Sequence, residues 1–367
     1  MPKVVLSGYF GFGNAGDEAI LAAQVAALRR LVPGVELTVL SGNPAETAAA
    51  YAVAAVDRGN LTAVRRALRE ADLLVSGGGS LLQDVTSNRS IPYYLGIVAL
   101  AKLYGKKVML YGNGVGPVRG RLNRLLVRWL GNMVDQITVR DAGSAAILQE
   151  LGVTRPPVEV TADAVFTLTP AGREAAEAVL ARTGVAPGRP RLGISVRPWR
   201  RLEGYKAAVA RAADAFAAAA GVEVVFLPMQ HPADVEVSGQ VAGLMKVPAR
   251  VVTERCDVPT VMALYGAMDV VLGMRLHALI FAALQGVPHL GIVYDPKVAN
   301  FLNIVGQPGA GLVEDLDPER VTQGLMEVWH RREEIRPRLL AVSADLARRA
   351  WRNAELAAAL LGGGGRT

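Results

Sequence analysis

Short apolar segments alternate with longer stretches of helical period along most of the chain. In the first half the pattern predicts strands at 3–7, 36–40, 72–76, 107–111, 136–139 and 158–160, with helices at 17–31, 60–70, 92–104, 120–131 and 142–151. It restarts with strands at 191–196, 222–227, 249–253, 269–272 and 289–293, and with helices at 203–219, 232–244, 258–266 and 276–285. Nearly continuous apolar strands separated by helices are typical of parallel sheets covered on both faces.

The restart predicts an α/β protein of two Rossmann-like, doubly wound domains facing a cleft. We place the first domain at 1–167, a junction rich in proline and glycine at 168–190, and the second domain at 191–340. A C-terminal helix is expected at 341–361 and a disordered tail at 362–367. Ligands of such sheets bind beyond the carboxyl ends of the strands, so we expect the active site in the cleft.

Composition narrows the class of protein. Hydrophobic residues make up 51% of the 367 positions, which suffices for two cores, and the single cysteine, Cys256, excludes an intramolecular disulfide. No Cys/His cluster suggests a metal site, and neither a secretory signal nor an apolar window of membrane-spanning length is recognisable. We therefore expect a cytoplasmic protein without a bound metal.

The formal net charge of +7 favours an anionic partner. Nucleic acid, an anionic small substrate and an anionic membrane surface would each fit such a charge. No nucleic-acid-binding signature accompanies it, so we expect no nucleic-acid partner. Arginines scattered over helix exteriors are the simpler alternative.

Three glycine-rich turns follow predicted strands of the first half, at 7–18 (SGYFGFGNAGDE), 76–84 (SGGGSLLQD) and 111–117 (YGNGVGP). Their spacing fits neither a P-loop nor a dinucleotide fingerprint. Glycines let the backbone approach a ligand closely, although a purely architectural role or a tight interdomain contact would also explain them. From these turns we predict the substrate-binding residues Asn14, Asp17, Gly78, Gly79, Asn113 and Gly114.

Four charged or titratable residues stand just beyond strands. Arg140 follows the strand at 136–139, Arg275 and His277 open the helix at 276–285, and Lys297 comes after the strand at 289–293. Arginine can hold a carboxylate or phosphate through two hydrogen bonds, and the start of a helix favours a neutral imidazole that can act as a base. Surface ion pairs, such as Arg140 with Asp141, and a structural histidine are the alternatives. Three cations around one histidine suit a small polyanion.

These segments, together with TADAVF and GMRLHALIFAALQGVP followed by DPK, resemble the polysaccharide pyruvyl transferase family, and most closely its branch acting on bacterial secondary cell-wall polymers that anchor surface-layer proteins. The resemblance implies a B-type glycosyltransferase fold and phosphoenolpyruvate as donor substrate, with no further cofactor. It also implies a lipid-linked saccharide acceptor carrying N-acetylmannosamine, bound on the side of the first domain. By motif, Arg140, His277 and Lys297 match the family's catalytic residues, and Arg275 belongs to the same motif. Asn113 departs from the glutamine expected there.

Ketal formation fits these residues on chemical grounds. Phosphoenolpyruvate carries a carboxylate and a phosphate, which require several cationic donors, and transfer requires an acid or base such as His277. A nucleotide-sugar-dependent glycosyltransferase of the same fold is the first alternative, but no acidic residue lies between Arg275 and Gly286 to bind a ribose. A non-catalytic glycan- or lipid-binding module is the second.

Residues 118–133 (VRGRLNRLLVRWLGNM) predict a basic amphipathic helix. Arginines and apolar residues both recur at helical spacing, namely Arg121, Arg124 and Arg128 beside Leu122, Leu125, Leu126, Trp129 and Met133. Such a helix can lie on an anionic membrane, and we expect peripheral contact with the inner membrane surface. An ordinary helix packed on the first sheet is the alternative.

Overall fold

The computed structural model describes residues 1–85, 87 and 89–362. The chain forms two compact units, the first made of Met1–Leu168 with the chain from Leu346 onward, and the second of Thr169–Asp345. Of the tail predicted to be disordered, Gly362 ends a helix, and 363–367 lie outside the described residues.

The first unit is built around a parallel sheet of seven strands in the order β3-β2-β1-β4-β5-β6-β7. The strands are β1 Lys3–Ser7, β2 Glu36–Ser41, β3 Ala54–Asp57, β4 Leu73–Gly77, β5 Lys107–Asn113, β6 Gln136–Val139 and β7 Val158–Val160. The helices that alternate with them are α1 Ala15–Leu31, α2 Pro44–Tyr51, α3 Leu61–Glu70, α4 Ser90–Leu103, α5 Arg121–Gly131 and α6 Ala142–Glu150. A short 3₁₀ helix, Ala164–Thr167, follows β7.

The second unit repeats the design with a parallel sheet of six strands in the order β10-β9-β8-β11-β12-β13. Its strands are β8 Arg191–Ser195, β9 Glu223–Phe226, β10 Ala249–Val251, β11 Val270–Gly273, β12 His289–Val293 and β13 Gly309–Leu312. Its helices are α7 Arg173–Arg182, α8 Gly204–Ala220, α9 Ala233–Leu244, α10 Val258–Gly266, α11 Leu276–Leu284, α12 Pro296–Val305 and α13 Pro318–His330. The last helix, α14 Arg332–Gly362, contributes residues to both units.

The predicted fold class is confirmed: both sheets are parallel and flanked by helices. Every strand predicted from the apolar pattern is present, including the edge strands β7 and β10. The strands near the centre of each sheet carry the clearest apolar signal because they are buried on both faces. The edge strands β3 and β13 were not predicted, since β3 is only half-buried and β13 reads GAGL. Helix α7 occupies much of the segment predicted to be a junction.

No helix in the described part of the chain is long and apolar enough to cross a membrane.

Helix α5 has no side-chain cap of its own, and a carboxylate from a distant turn supplies one. The Asp84 carboxylate accepts hydrogen bonds from the backbone N–H groups of Arg119 (2.9 Å) and Gly120 (2.8 Å) and from Asn123 Nδ2 (3.1 Å). Partial burial acts to raise the pKa of Asp84, but these donors together lower it below its ordinary value. The turn 76–84 thus fixes the start of α5.

We expect Asp84→Ala to lower the free energy of unfolding by about 0.5–2 kcal/mol, as for loss of a helix cap. Because the pKa of Asp84 is lowered in the folded state, this contribution is complete above the unfolded value of about 3.9 and is lost as the pH falls through the folded value. Urea unfolding at pH 7 and in acid measures both effects. Asp84→Asn, which keeps one acceptor oxygen, is the control, and equal stability of Asp84→Ala and wild type at pH 7 would contradict the capping role.

Candidate functional site

The carboxyl ends of four neighbouring strands in the first unit carry the site residues predicted there. Strands β1, β4, β5 and β6 are adjacent in the sheet; β1, β4 and β5 are each followed by one of the three glycine-rich turns, and β6 is followed by Arg140. The structure therefore brings Asn14, Asp17, Gly78, Gly79, Asn113, Gly114 and Arg140 to one edge of the first sheet.

The first two turns pack against each other through helix α1. Asn14 caps this helix, with its Oδ1 accepting from Gly16 N (3.0 Å) and Asp17 N (3.4 Å). Gly78 and Gly79 both have positive φ; a Cβ on Gly78 would lie 2.1 Å from Ile20 Cγ2, and one on Gly79 would lie 3.0 Å from Asp17 Oδ1. These contacts explain why glycine is needed at both positions for packing. They also show that the Asp17 carboxylate lies against the turn that contains Gly78 and Gly79.

The third turn is fixed to the second by backbone and amide hydrogen bonds. Asn113 is buried, and its Nδ2 donates to Ser76 O (3.1 Å), while Gly114 N donates to Gly79 O (2.9 Å). A Cβ on Gly114 would lie within 2.7 Å of three atoms of the Arg140 guanidinium, so glycine is required for that side chain to pass. Asn113 stands where glutamine was expected, and its side-chain amide links the ends of β4 and β5.

Arg140 is 7% exposed and held by a carboxylate and a hydroxyl. Its Nη1 donates to Asp163 Oδ2 (3.1 Å) and its Nη2 to Ser80 Oγ (3.0 Å), whereas Asp141 Oδ2 is 3.9 Å from Nε. Asp163, from the TADAVF segment, is thus the main ion-pair partner, rather than the neighbouring Asp141 considered from the sequence. The predicted catalytic role of Arg140 stays a prediction, and any anion there would bind beside this carboxylate.

In the second unit the predicted residues follow two adjacent strands, β11 and β12. Arg275 precedes helix α11, His277 lies in its first turn, and Lys297 lies in the first turn of α12. The structure therefore brings Arg275, His277 and Lys297 to the carboxyl-end edge of the second sheet. His277 is partly exposed, with its ring centroid 6.4 Å from that of Phe281.

Arg275 forms a buried ion pair with Asp234, which is fully buried at the start of helix α9. Arg275 Nε donates to Asp234 Oδ2 (2.9 Å), and Nη2 donates to both Asp234 Oδ1 and Gln230 Oε1 (3.0 Å). The carboxylate also accepts from the backbone N–H groups of Met229 and Gln230. Arg275 therefore joins the ends of β9 and β11 through an ion pair, the alternative role weighed from the sequence, whose partner the sequence did not identify.

Lys297 shares its surroundings with Arg197, a cation that sequence reasoning missed. The Arg197 guanidinium carbon lies 5.2 Å and Lys297 Nζ 5.4 Å from the centroid of the Tyr294 ring. Trp199 packs edge-on against the same ring at 4.8 Å, and Arg197 also lies 5.6 Å from the Trp199 ring. We call Arg197, Trp199, Tyr294 and Lys297 the aromatic–cation cluster.

The positive charge of this cluster affects the pKa of the Tyr294 phenol. Burial acts to raise the pKa, but the positive charges of Lys297, Arg197 and Arg275 outweigh it and lower the pKa below the ordinary tyrosine value. Within residues 1–85, 87 and 89–362, the one carboxylate that pairs with the Lys297 ammonium is that of Asp295 at 4.0 Å, and the lysine side chain is 25% exposed. The cluster is therefore a partly open, electropositive place at the ends of β8, β11 and β12.

No group of three or more histidine, cysteine, aspartate or glutamate side chains that could hold a metal ion occurs among residues 1–85, 87 and 89–362. The aromatic–cation cluster of the second unit combines positively charged side chains with aromatic rings, and such a set suits an anion.

A family model described as polysaccharide pyruvyl transferase matches residues 14–296. The match includes Arg140, Arg275 and His277 and ends one residue before Lys297. No curated protein matches the sequence.

Solved structures resemble the fold at low sequence identity. MnaA of S. aureus with UDP has a TM-score of 0.67 at 12% identity, covering 97% of this chain and 95% of its own. HepE of Anabaena in complex with UDP-glucose gives 0.65 at 13%, with coverage of 99% and 100%. A UDP-GlcNAc 2-epimerase from Neisseria meningitidis bound to UDP-GlcNAc gives 0.65 at 11%, with coverage of 97% and 99%. These likenesses concern the fold alone.

Proposed function

Because the chain belongs to the polysaccharide pyruvyl transferase family, we propose that it transfers the pyruvyl group of phosphoenolpyruvate to two hydroxyl groups of one sugar, forming a cyclic ketal. The observation that carries the donor assignment is the aromatic–cation cluster, which lies at the same edge of the second sheet as His277. A carboxylate and a phosphate on one small molecule require several cations within a few ångströms, and charge-assisted hydrogen bonds are the strongest available to hold them.

The residues support a division of labour in the second unit. Lys297 and Arg197 contact the anionic groups of the donor, while Arg275, engaged by Asp234, fixes the ends of β9 and β11 and adds positive potential. Tyr294, held among the cations, orders their side chains. His277, at the start of α11, moves the proton.

The proposed reaction balances without a redox partner. One sugar hydroxyl adds to C2 of phosphoenolpyruvate, and a proton reaches the methylene carbon, which becomes the methyl group. The second hydroxyl then attacks C2, the bond between C2 and the phosphate oxygen breaks, and the second proton leaves with inorganic phosphate. Fixed cations stabilise the departing phosphate, and His277 acts as the acid or base.

We propose N-acetylmannosamine on a lipid-linked cell-wall polymer precursor as the acceptor, bound by the first unit, in the pathway that anchors surface-layer proteins. This assignment rests on the resemblance of the glycine-rich turns to the cell-wall branch of the family. The acceptor would be made at the cytoplasmic face of the membrane, which places the enzyme in the cytoplasm.

The deciding experiment supplies phosphoenolpyruvate and a panel of lipid-linked saccharides with different terminal sugars. We expect release of inorganic phosphate and a product bearing a pyruvate ketal, with the N-acetylmannosamine acceptor preferred. Thermal unfolding with each donor tests the alternative, because a ligand raises Tm only if it binds the folded state. Stabilisation by UDP-sugars but not by phosphoenolpyruvate would favour a nucleotide-sugar glycosyltransferase instead.

We expect Lys297→Ala and Arg197→Ala each to weaken phosphoenolpyruvate binding by about 1.5–3 kcal/mol, the value of a hydrogen bond to a charged group. Titration calorimetry with the donor alone measures this directly. Lys246→Ala and Arg211→Ala remove exposed cations elsewhere in the second unit and serve as matched controls. A variant that changes only the KM of the acceptor would remove that residue from the donor site.

A further inference from the structure

Helix α5 carries several of its largest apolar side chains on the exposed side. Its buried residues, Asn123, Val127 and Gly131, are small or medium in size and recur every fourth position. Four large apolar side chains lie on the opposite side and are exposed: Leu122 by 65%, Leu125 by 57%, Trp129 by 76% and Met133, just beyond the helix, by 47%. Of the apolar residues noted from the sequence, Leu126 packs against the core.

The exposed apolar residues form one row. Positions three and four apart lie above one another on a helix, so Leu122, Leu125 and Trp129 share a face, and Met133 continues it. We call these four residues the apolar row. A contiguous exposed patch of large apolar side chains on a folded protein marks a surface that is covered in use.

A basic row runs beside the apolar row. Arg121, Arg124 and Arg128 have the same three- and four-residue spacing, displaced by one position, and all three are exposed. Arg124 donates to the Val118 carbonyl (3.2 Å), and no carboxylate in the described ranges 1–85, 87 and 89–362 forms an ion pair with any of the three. The surface thus joins an apolar strip to three uncompensated positive charges.

We infer that this face of α5 docks onto an anionic lipid membrane. Trp129 and the leucines fit the boundary between headgroups and acyl chains, and the arginine row fits the phosphate headgroups at the same depth. An apolar row alone would also suit a protein partner, but three unpaired arginines along its edge would need matching carboxylates there. The inference does not depend on the pyruvyl transfer reaction.

Flotation of the full chain with vesicles tests the inference without sugar or donor. We expect binding to vesicles of mixed phosphatidylcholine and phosphatidylglycerol, little binding to phosphatidylcholine alone, and weakening by salt. Each arginine near an anionic surface contributes about a fivefold factor, so Arg121→Gln/Arg124→Gln/Arg128→Gln should lower the partition coefficient by about 10²-fold. The matched control, Arg65→Gln/Arg66→Gln/Arg69→Gln on α3, removes the same charge from another exposed helix face and should bind better than the α5 variant.

A second measurement follows the apolar row. Trp129 is the most exposed tryptophan, so its fluorescence should shift to the blue on vesicle binding, and Trp129→Phe should abolish the shift but keep most of the binding. Leu122→Gln/Leu125→Gln/Trp129→Gln should abolish binding with Tm unchanged, since these side chains are exposed. Equal binding of wild type and the α5 arginine variant would overturn the inference. Self-association through this face without vesicle binding would overturn it as well.

Discussion

His277→Ala is expected to lower kcat for ketal formation by about 10²–10⁴-fold, the usual contribution of a positioned acid or base. His277 lies in the first turn of α11, beyond the same sheet edge as the aromatic–cation cluster, and its side chain is partly exposed although Nε2 is buried. Initial rates of phosphate release with saturating donor and acceptor measure the effect.

His330→Ala is the control for this substitution, because His330 is exposed at the end of α13, a helix that carries none of the proposed site residues. The folded state of His277→Ala should be checked by its Tm, so that a loss of rate is not mistaken for a loss of structure. Turnover close to the wild-type rate would remove His277 from the chemical step.

Arg275→Ala is expected to lower the free energy of unfolding by about 3–5 kcal/mol, the usual cost of removing one partner of a buried ion pair. Asp234 is fully buried, and without the guanidinium its carboxylate keeps only the N–H donors of Met229 and Gln230 among the partners described above. Denaturant unfolding of the variant measures the loss. Arg211→Ala, an exposed change on α8, should stay within about 0.5 kcal/mol of wild type.

A double variant separates the two roles open to Arg275. If the ion pair dominates, Arg275→Ala/Asp234→Ala should be less destabilised than the sum of the single variants, because no unpaired charge remains buried. Full stability of Arg275→Ala with weakened phosphoenolpyruvate binding would instead make Arg275 a direct ligand of the donor, as the sequence motif suggests.

The sequence predicted much of the fold because buried parallel strands carry an unmistakable apolar signal. Strands β1, β4 and β11 each consist mainly of buried aliphatic residues between polar or glycine-rich turns. The signal fails at one edge of each sheet, where β3 is half-buried and β13 reads GAGL, whereas the edge strands β7 and β10 were predicted. Helix α7 was missed because the proline and glycine around it drew attention to a junction.

The candidate site was only partly predictable, because charge partners far apart in sequence leave no local pattern. Arg275 and Asp234 are 41 residues apart, and Arg140 and Asp163 are 23 apart. Arg197 lies in RPWRR, where several basic residues look alike, and only the packing on Tyr294 distinguishes it. The grouping of Arg140, Arg275 and Lys297 around His277 stays a prediction, and Arg197 is the cation that the structure adds beside Lys297.

Helix α14 has a consequence for how the chain is made. Its buried face from Leu346 onward, with Ala350, Asn353, Ala354 and Ala357, belongs to the first unit, where Asn353 bonds to Thr161 and Ala162. The second unit, Thr169–Asp345, is complete in sequence before those residues leave the ribosome. During synthesis the second unit can therefore fold first. The groups of the first unit that bond to Asn353 stay unsatisfied until this part of α14 has emerged.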